Sequence, residues 1–306
     1  MIGRYEILGE LGRGAMGSVL RARDPIMGRV VAIKSIHAAS LAGDQAAEFR
    51  ERFYREARAA GALSHPGIVP VFDVGEDNGS PYLVMELVQG RTLDMALKQG
   101  ERYSIERVCE IGQQIAEALG FAHRNGVVHR DIKPANILMT TREVYGVERP
   151  RITDFGVAKL AGGEMTSTGQ LLGTPAFMPP EQFTGAPIDN RTDMFSVGVI
   201  LYRMTTGEQP FAGETLTAVS YKVVHTEPIP PSKLNPAAKK RMTLLGQAAA
   251  AGDGRFPDLG PGRAGKCAPE EGYLPFLTVS QPLSGSIAEQ RVQVQQGERV
   301  HEAVDG

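Results

Sequence analysis

The chain has no tryptophan and only two cysteines, Cys109 and Cys267, among its 306 residues. Two thiols cannot build a disulfide framework, so we expect reduced cysteines and a cytoplasmic location. No hydrophobic run is long enough to span a bilayer, because the most apolar stretch covers only residues 197–202. The first residues also lack the apolar segment of a signal peptide. These absences favour a globular protein with no membrane segment in this chain.

The chain also lacks an excess of charge of either sign. Its formal net charge is −2, which gives no electrostatic reason to expect a nucleic-acid partner. Hydrophobic residues make up 42% of the chain and charged residues 22%, as in ordinary globular proteins. A chain of this length exceeds the size at which one hydrophobic core usually keeps growing. We therefore expect two lobes or domains.

The order of the predicted elements indicates an α+β fold with two unequal lobes. Residues 46–63 and 105–125 carry apolar residues at helical spacing, the second helix with Val108, Ile111, Ile115, Ala118, Leu119 and Ala122 on one face. Short β-branched runs separated by glycine and proline predict strands at residues 5–11, 18–23, 29–36, 68–74 and 82–87, with a tight turn at Asn78-Gly79. We expect a β-rich N-lobe with one main helix over residues 1–88, followed by a larger α-helical C-lobe.

A glycine-rich stretch near the N-terminus predicts a phosphate-binding loop. Residues 11–19 read Leu-Gly-Arg-Gly-Ala-Met-Gly-Ser-Val, the pattern G-x-G-x-x-G-x-V. Glycines have no Cβ, so the backbone N–H groups of such a loop can approach phosphates closely. The same spacing also occurs in ordinary hairpin turns, and the pattern alone does not decide between the two.

Lys34 favours the phosphate interpretation. It ends the apolar run Val-Ala-Ile-Lys one strand and one turn after the glycines, where its ammonium group can reach the α- and β-phosphates of a nucleotide. A lysine in this position needs an anion to hold it, and Glu56 on the predicted helix 46–63 is the natural candidate. The alternative for Glu56 is an exposed helix glutamate, the commonest fate of this residue type.

Residues 129–136, His-Arg-Asp-Ile-Lys-Pro-Ala-Asn, carry the strongest catalytic pattern. Asp131 would accept the proton of an attacking hydroxyl, Lys133 would neutralise charge on the transferring phosphoryl group, and Asn136 would bind a metal ion. Asp154, in Asp-Phe-Gly after a short predicted strand at residues 151–153, would hold the metal against the phosphates. A site of few carboxylates and many phosphate oxygens suits Mg²⁺.

Together these motifs resemble the protein kinase family in order and spacing, over roughly residues 5–235. Residues 63–69, 171–175 and 180–182 are similar to those of bacterial, eukaryotic-like (Hanks-type) serine/threonine kinases. The resemblance implies a bilobal kinase fold, a protein serine/threonine kinase as the activity, and ATP with Mg²⁺ as cofactors. It also implies protein substrates, and self-association for trans-autophosphorylation.

The resemblance assigns further residues. Met85 would be the gatekeeper, Glu86 to Val88 the hinge that bonds adenine, and Asp193 the buried support of the catalytic loop. The complete expected nucleotide site is Leu11, Gly12, Arg13, Gly14, Ala15, Met16, Gly17, Ser18, Val19, Ala32, Lys34, Met85, Glu86, Val88 and Leu138.

Regulation is implied by the same resemblance. Arg130 precedes Asp131, an arrangement typical of kinases switched by phosphate on the segment 154–181. We expect that phosphate on Thr166 and Thr168, where it could pair with Arg130. Thr174 would instead contact Asp131 and Lys133.

Two features depart from the family pattern. Proline at position 179 precedes Pro180-Glu181, and its fixed φ predicts an altered turn. Arg255 would pair with Glu181, but the later glycines and prolines deny the last helix its usual place. We therefore expect a kinase domain over residues 1–259 with atypical last helices, and a poorly ordered tail over 260–306.

Two other functions compete with a protein kinase. One is a pseudokinase or ATP-binding scaffold on the same fold, suggested by the divergent tail and by Pro179. Against it, Lys34, Glu56, Asp131, Asn136 and Asp154 are all present. The other is a small-molecule kinase of the antibiotic-phosphotransferase kind, which Lys133 and the segment 173–181 disfavour.

Overall fold

The structure is a computed structural model that describes residues 1–14, 17–36, 44–155 and 175–240. Its strands are β1 (Glu6–Gly14), β2 (Gly17–Arg23), β3 (Val30–Ile36), β4 (Val71–Asp77), β5 (Ser80–Glu86), β6 (Gly90–Thr92), β7 (Ile137–Thr140) and β8 (Pro150–Ile152). Its helices are α1 (Asp44–Gly61), α2 (Leu93–Lys98), α3 (Ile105–Arg124), α4 (Arg142–Tyr145), α5 (Pro180–Thr184), α6 (Asn190–Thr206), α7 (Leu216–His225) and α8 (Pro231–Leu234).

The first five strands form one antiparallel sheet in the order β1-β2-β3-β5-β4. The hairpin between β4 and β5 turns at Asn78 and Gly79, whose φ values of 49° and 77° are both positive, as a two-residue hairpin turn of this type requires. The predicted turn is therefore confirmed.

The predicted strand at residues 68–74 is wrong in its first part, because β4 begins at Val71. Pro70 has no N–H to donate to a ladder. The residues before it pair elsewhere: Ile68 bridges Ile152, and the Val69 N–H donates to the Ile152 carbonyl at 2.9 Å. Residues 68–70 therefore connect the five-stranded sheet to β8, which belongs to the part of the molecule that follows β5.

Helix α1 packs its apolar face on the first sheet. Phe53 and Ala57 of this helix are buried in one cluster with Ala32 of β3 and with Leu83 and Met85 of β5. Burying a phenylalanine side chain contributes roughly 1.5–3 kcal/mol, so Phe53 is a main anchor of the helix. Glu56 lies between Phe53 and Ala57 in the helix, and its side chain is 17% exposed.

The second part is built on helices α3 and α6. All six residues predicted to form the apolar face of α3 are buried. Ser104 caps the start of the helix by accepting from the Arg107 N–H at 3.2 Å. Gly112 lets α6 approach, since a Cβ there would lie 3.0 Å from the Leu201 side chain. The two helices form the largest core and hold the loop between α3 and β7.

A small sheet in the order β6-β7-β8 lies between the two parts. The sequence predicted only β8, one residue later than observed. In the chain, β6 comes shortly after β5, and β7 begins directly after residues 129–136. Asp154 lies two residues beyond the end of β8. Because β7 pairs with β8 and the Thr153 N–H donates to the Asn136 carbonyl at 3.0 Å, the sheet brings Asp154 close to the segment 129–136.

Proline at position 179 has backbone angles that suit its ring. It lies at the position before α5, with φ −76° and ψ 161°. These are angles that the proline ring favours, and no helical hydrogen bond needs a donor there. Within the described residues, no helix is long and apolar enough to cross a membrane.

Candidate active site

Asp131, Lys133 and Asn136 converge as the sequence predicted. The Lys133 ammonium lies 2.6 Å from Asp131 Oδ2. The Asn136 amide nitrogen donates to the Asp131 main-chain carbonyl at 2.8 Å and to Oδ2 at 3.1 Å. Both side chains therefore bind the same carboxylate oxygen. None of these contacts uses Asp131 Oδ1 or the amide oxygen of Asn136.

Asp193 supports the backbone of this loop from α6. Its side chain is completely buried and accepts from the His129 N–H at 2.9 Å and from the Arg130 N–H at 2.7 Å. Arg130 has a φ of 69°, a left-handed conformation that is strained for a residue with a side chain. The two hydrogen bonds hold this strained turn immediately before Asp131.

Three further residues complete this support, and the sequence analysis missed them. His123 Nε2 lies 2.7 Å from Asp193 Oδ2, and the Gln182 amide donates to the Arg130 carbonyl at 2.7 Å. The Thr192 hydroxyl donates to the Glu181 carboxylate, which joins α5 to α6. His123 and Gln182 lie 70 and 52 residues from their partners in the chain, so no local pattern indicated them.

Asp154 faces Lys34 directly. The Lys34 ammonium lies 2.8 Å from Asp154 Oδ2, and the two side chains are 14% and 20% exposed. Burial by itself would raise the pKa of the Asp154 carboxyl, but the charge and hydrogen bond of Lys34 outweigh it and hold that pKa below its ordinary value. The carboxyl is therefore ionised at neutral pH. A φ of 67° shows that Asp154, like Arg130, has a strained backbone.

In this structure Lys34 and Glu56 do not form the expected ion pair. Asp154 holds the lysine instead. The Glu56 carboxylate lies 3.6 Å from the guanidinium of Arg55, its neighbour on α1. The physical reason is competition: the ammonium is already held by a carboxylate at 2.8 Å, which the chain places there through β8.

Several residues expected around adenine share one hydrophobic cluster. Ala32 and Met85 are buried in it, and Val19, Val88 and Leu138 pack against it. Met85 also contacts the residue before Asp154, because its sulfur lies 3.5 Å from the Thr153 hydroxyl. The cluster includes residues from β2, β3, β5 and β7, so it lies where the two parts of the molecule meet.

The glycine-rich stretch forms the end of β1 and the start of β2, with Gly14 opposite Gly17. Gly17 has a φ of 148°, and a Cβ there would lie 1.8 Å from the Ser35 carbonyl oxygen, so only glycine fits. Gly12 and Gly14 have open space around the Cβ position. Leu11 is exposed, Ser18 is buried, and Arg13 bonds Glu10. The predicted site residues Ala15, Met16, Thr166, Thr168, Thr174 and Arg255 lie outside the described residues.

Comparison with known proteins decides the family. The model of the protein kinase domain matches residues 5–245. The chain belongs to the protein kinase family. This kinase domain is 42% identical over 250 residues to a probable serine/threonine-protein kinase of Streptomyces coelicolor, and the match covers 79% of this chain and 36% of the relative. It is 40% identical over 236 residues to the serine/threonine-protein kinase PknB of Mycobacterium tuberculosis, with 75% and 36% of the two chains covered.

The fold agrees with the sequence comparison. A crystal structure of the kinase domain of Mycobacterium tuberculosis PknI, a cysteine-to-alanine mutant, superposes with a TM-score of 0.62 at 26% identity, covering 81% of this chain and 88% of that one. The predicted bilobal α+β kinase fold and the resemblance to bacterial Hanks-type serine/threonine kinases are thus confirmed. The chain spans just over a third of the length of the curated relatives it matches.

Proposed function

We propose that this kinase domain transfers the γ-phosphoryl group of Mg-ATP to serine and threonine hydroxyls of proteins. The observation that carries the proposal is the arrangement of Asp131, whose carboxylate oxygen Oδ2 is bound by both Lys133 and Asn136. The other oxygen, Oδ1, which neither residue contacts, would accept the proton of the substrate hydroxyl. The relatives are named serine/threonine-protein kinases, which supports the same substrate class.

The side chains present fit a nucleotide and a magnesium ion. The cluster around Ala32 and Met85 offers an apolar surface to a flat base, and Lys34 offers a cation to phosphates. Asp154, ionised because of its lowered pKa, and the amide oxygen of Asn136 are the hard oxygen ligands that Mg²⁺ prefers. The described residues contain no group of three or more His, Cys, Asp or Glu side chains that could hold a metal. A site of one carboxylate, one amide and phosphate oxygens does not need such a group.

When bound, Mg²⁺ would neutralise charge on the β- and γ-phosphates. Asp131 would orient the substrate hydroxyl and take its proton at Oδ1 as the new bond to the γ-phosphorus forms and the bond between that phosphorus and the ADP oxygen breaks. Lys133, already beside Asp131, places positive charge next to the transferring group. The backbone around Asp131 needs no rearrangement, because Asp193 fixes it beforehand. The chain's own contribution is thus mainly positioning and electrostatic stabilisation.

Glu56 remains our proposed partner of Lys34 in the nucleotide-bound state. Once Asp154 binds the metal, the lysine needs another carboxylate. Glu56 lies on α1 between Phe53 and Ala57, which pack on the sheet, and its side chain is only 17% exposed. Its present contact with Arg55 is weak, at 3.6 Å between a mostly exposed guanidinium and a carboxylate, so little energy opposes the exchange.

We also propose regulation by autophosphorylation on Thr166 or Thr168, by self-association of two copies. Arg130 supports this, because its Nε atom is buried and finds no hydrogen-bond partner among the residues that the structure describes. Phosphate oxygens would supply that partner. The kinase unit would extend to about residue 259 and act in the cytoplasm, where thiols such as the buried Cys109 stay reduced.

A substrate panel tests the proposed function. The purified chain would be incubated with labelled Mg-ATP and with general protein acceptors, or with small aminoglycoside-type alcohols. Label on serine and threonine of proteins supports the proposal. Label on the small alcohols would instead support a small-molecule kinase, and nucleotide binding without any transfer would support a pseudokinase.

A further inference from the structure

The residues between β7 and β8, 141–149, form a short arm that is firmly anchored at its base. The Thr140 hydroxyl accepts from the Arg149 N–H at 2.8 Å and donates to the Val147 carbonyl at 3.1 Å. Arg107 of α3 holds Glu148 twice, donating to its carbonyl at 2.9 Å and to its carboxylate at 3.0 Å. The arm is therefore part of the C-lobe framework rather than a free loop.

The other side of the arm contacts the first residue of the proposed hinge, Glu86, and the residue that follows the hinge, Gln89. The Tyr145 hydroxyl donates to the Glu86 carboxylate and accepts from the Gln89 N–H, both at 3.3 Å. The Thr141 N–H donates to the Gln89 carbonyl at 3.1 Å. Both backbone groups of Gln89 are thus bound by the arm, although Gln89 lies outside any strand.

Arg151 holds the same carboxylate from β8. Its guanidinium donates to Glu86 through Nη1 at 2.5 Å and through Nη2 at 3.0 Å, and Nη2 also lies 3.3 Å from the Ile68 carbonyl. The pair is shielded, with side chains 11% and 28% exposed. A two-point contact of this kind fixes direction as well as distance. Because Asp154 follows three residues later, one strand anchors both the hinge and a proposed metal ligand.

We propose that Tyr145 and Arg151 are positioning residues for the nucleotide: acting through Glu86 and Gln89, they orient the hinge backbone relative to the phosphate-binding side of the site. The proposal rests on the proposed function, since it is the hinge of a kinase that bonds the base. Neither side chain touches the nucleotide. A small rotation of the hinge would misplace its carbonyl and N–H groups, so losing these contacts should weaken binding of the base rather than the chemical step.

Two sets of variants of the full chain test this. Tyr145→Phe removes only the hydroxyl, and Tyr221→Phe on exposed α7 is its matched control. Arg151→Met removes the two-point contact with Glu86, whereas Arg151→Lys keeps the positive charge. Arg142 is exposed, and Arg142→Met is the control. The readouts are the Kd of a non-hydrolysable ATP analogue, kcat at saturating ATP, the melting temperature, and amide hydrogen exchange at Gln89.

We expect Tyr145→Phe to raise the Kd by roughly 2- to 10-fold and to speed exchange at Gln89. Arg151→Met should raise the Kd roughly tenfold or more, with Arg151→Lys between it and wild type. For the tyrosine variant kcat should stay within about twofold, because no transition-state contact is lost. Both controls should match wild type.

The inference is overturned if Tyr145→Phe and Arg151→Lys both bind the ATP analogue with the Kd of wild type. A lower melting temperature alone would show that the two residues only stabilise the fold. The inference is also overturned if Tyr221→Phe changes the Kd equally. If wild type itself binds no nucleotide, the proposed function fails, whereas exchange at Gln89 still reports on whether Tyr145 holds the hinge.

Discussion

Replacing Asp193 should damage both stability and activity, because this one carboxylate supports the whole catalytic loop. The side chain is fully buried and accepts two backbone N–H groups, at 2.9 and 2.7 Å, and contacts His123 at 2.7 Å. Asp193→Ala would leave the two backbone donors buried without an acceptor. Each such donor costs about 1–3 kcal/mol, so we expect a loss of about 2–6 kcal/mol in the free energy of unfolding.

The size of this loss decides the design of the assay. It is a large part of the about 5–15 kcal/mol that typically stabilises a folded domain, so the alanine variant can fail to fold. Asp193→Asn keeps the volume and one acceptor oxygen but turns the other into an amide donor. We expect about 1–3 kcal/mol for this variant. Urea unfolding measures both losses, with Glu214→Gln, at an exposed position, as the control.

Activity provides the second readout. The turn at Arg130 has a φ of 69°, a strain of about 1–3 kcal/mol that only its neighbours maintain. Without the carboxylate the turn can relax and move Asp131. In a folded Asp193→Asn variant, kcat should therefore fall while the affinity for nucleotide changes little. A folded variant with wild-type kcat, or an unfolding free energy within about 0.5 kcal/mol of wild type, would refute this account of the loop.

Four further outcomes are expected. Asp131→Asn should lower kcat by about 10²–10⁴ with near-normal ATP affinity, measured by single-turnover transfer; wild-type turnover would contradict its role as base. Lys34→Met should lower the free energy of unfolding at neutral pH, because the Asp154 carboxylate then loses its partner. The pKa of Asp154 is lowered in the folded protein, so its pairing with Lys34 stabilises the fold at neutral pH and is lost in acid, and the difference between variant and wild type should shrink as the pH falls. A difference in unfolding free energy that does not depend on pH would exclude the pair. Mass spectrometry of active protein should find phosphate on Thr166 or Thr168, and its absence throughout that segment would refute the proposed switch. Ending the chain at residue 259 should leave nucleotide affinity unchanged, and an unfolded product would show that the later residues belong to the domain.

Local signals explain what the sequence predicted correctly. Helix α3 was predicted within one residue because six apolar residues repeat at helical spacing, and the β4–β5 hairpin because Asn-Gly favours its turn. Strands β6 and β7, with three and four residues, are too short to show a period. Helix α4 has only four residues and no buried face, so its sequence resembles a loop.

The residues of the site also divide into those that a local pattern predicts and those that it does not. Asp131, Lys133 and Asn136 lie within one short segment, so their spacing in the chain already implied their contact. The partner of Lys34 depended on how α1 and β8 are placed on the sheet, which no local pattern specifies. The same holds for Tyr145 and Arg151, whose shared partner Glu86 lies 59 and 65 residues away.

The most direct test of the central claim is phosphoryl transfer itself, comparing wild type with Asp131→Asn. Each purified protein would be incubated with γ-labelled ATP, Mg²⁺ and a protein acceptor, and the labelled amino acids would be identified after hydrolysis. Binding of an ATP analogue by both proteins would be measured in parallel. The account predicts label on serine and threonine with wild type only, and similar nucleotide affinity for both. Nucleotide binding by wild type without transfer, or transfer equal in the two proteins, would contradict it.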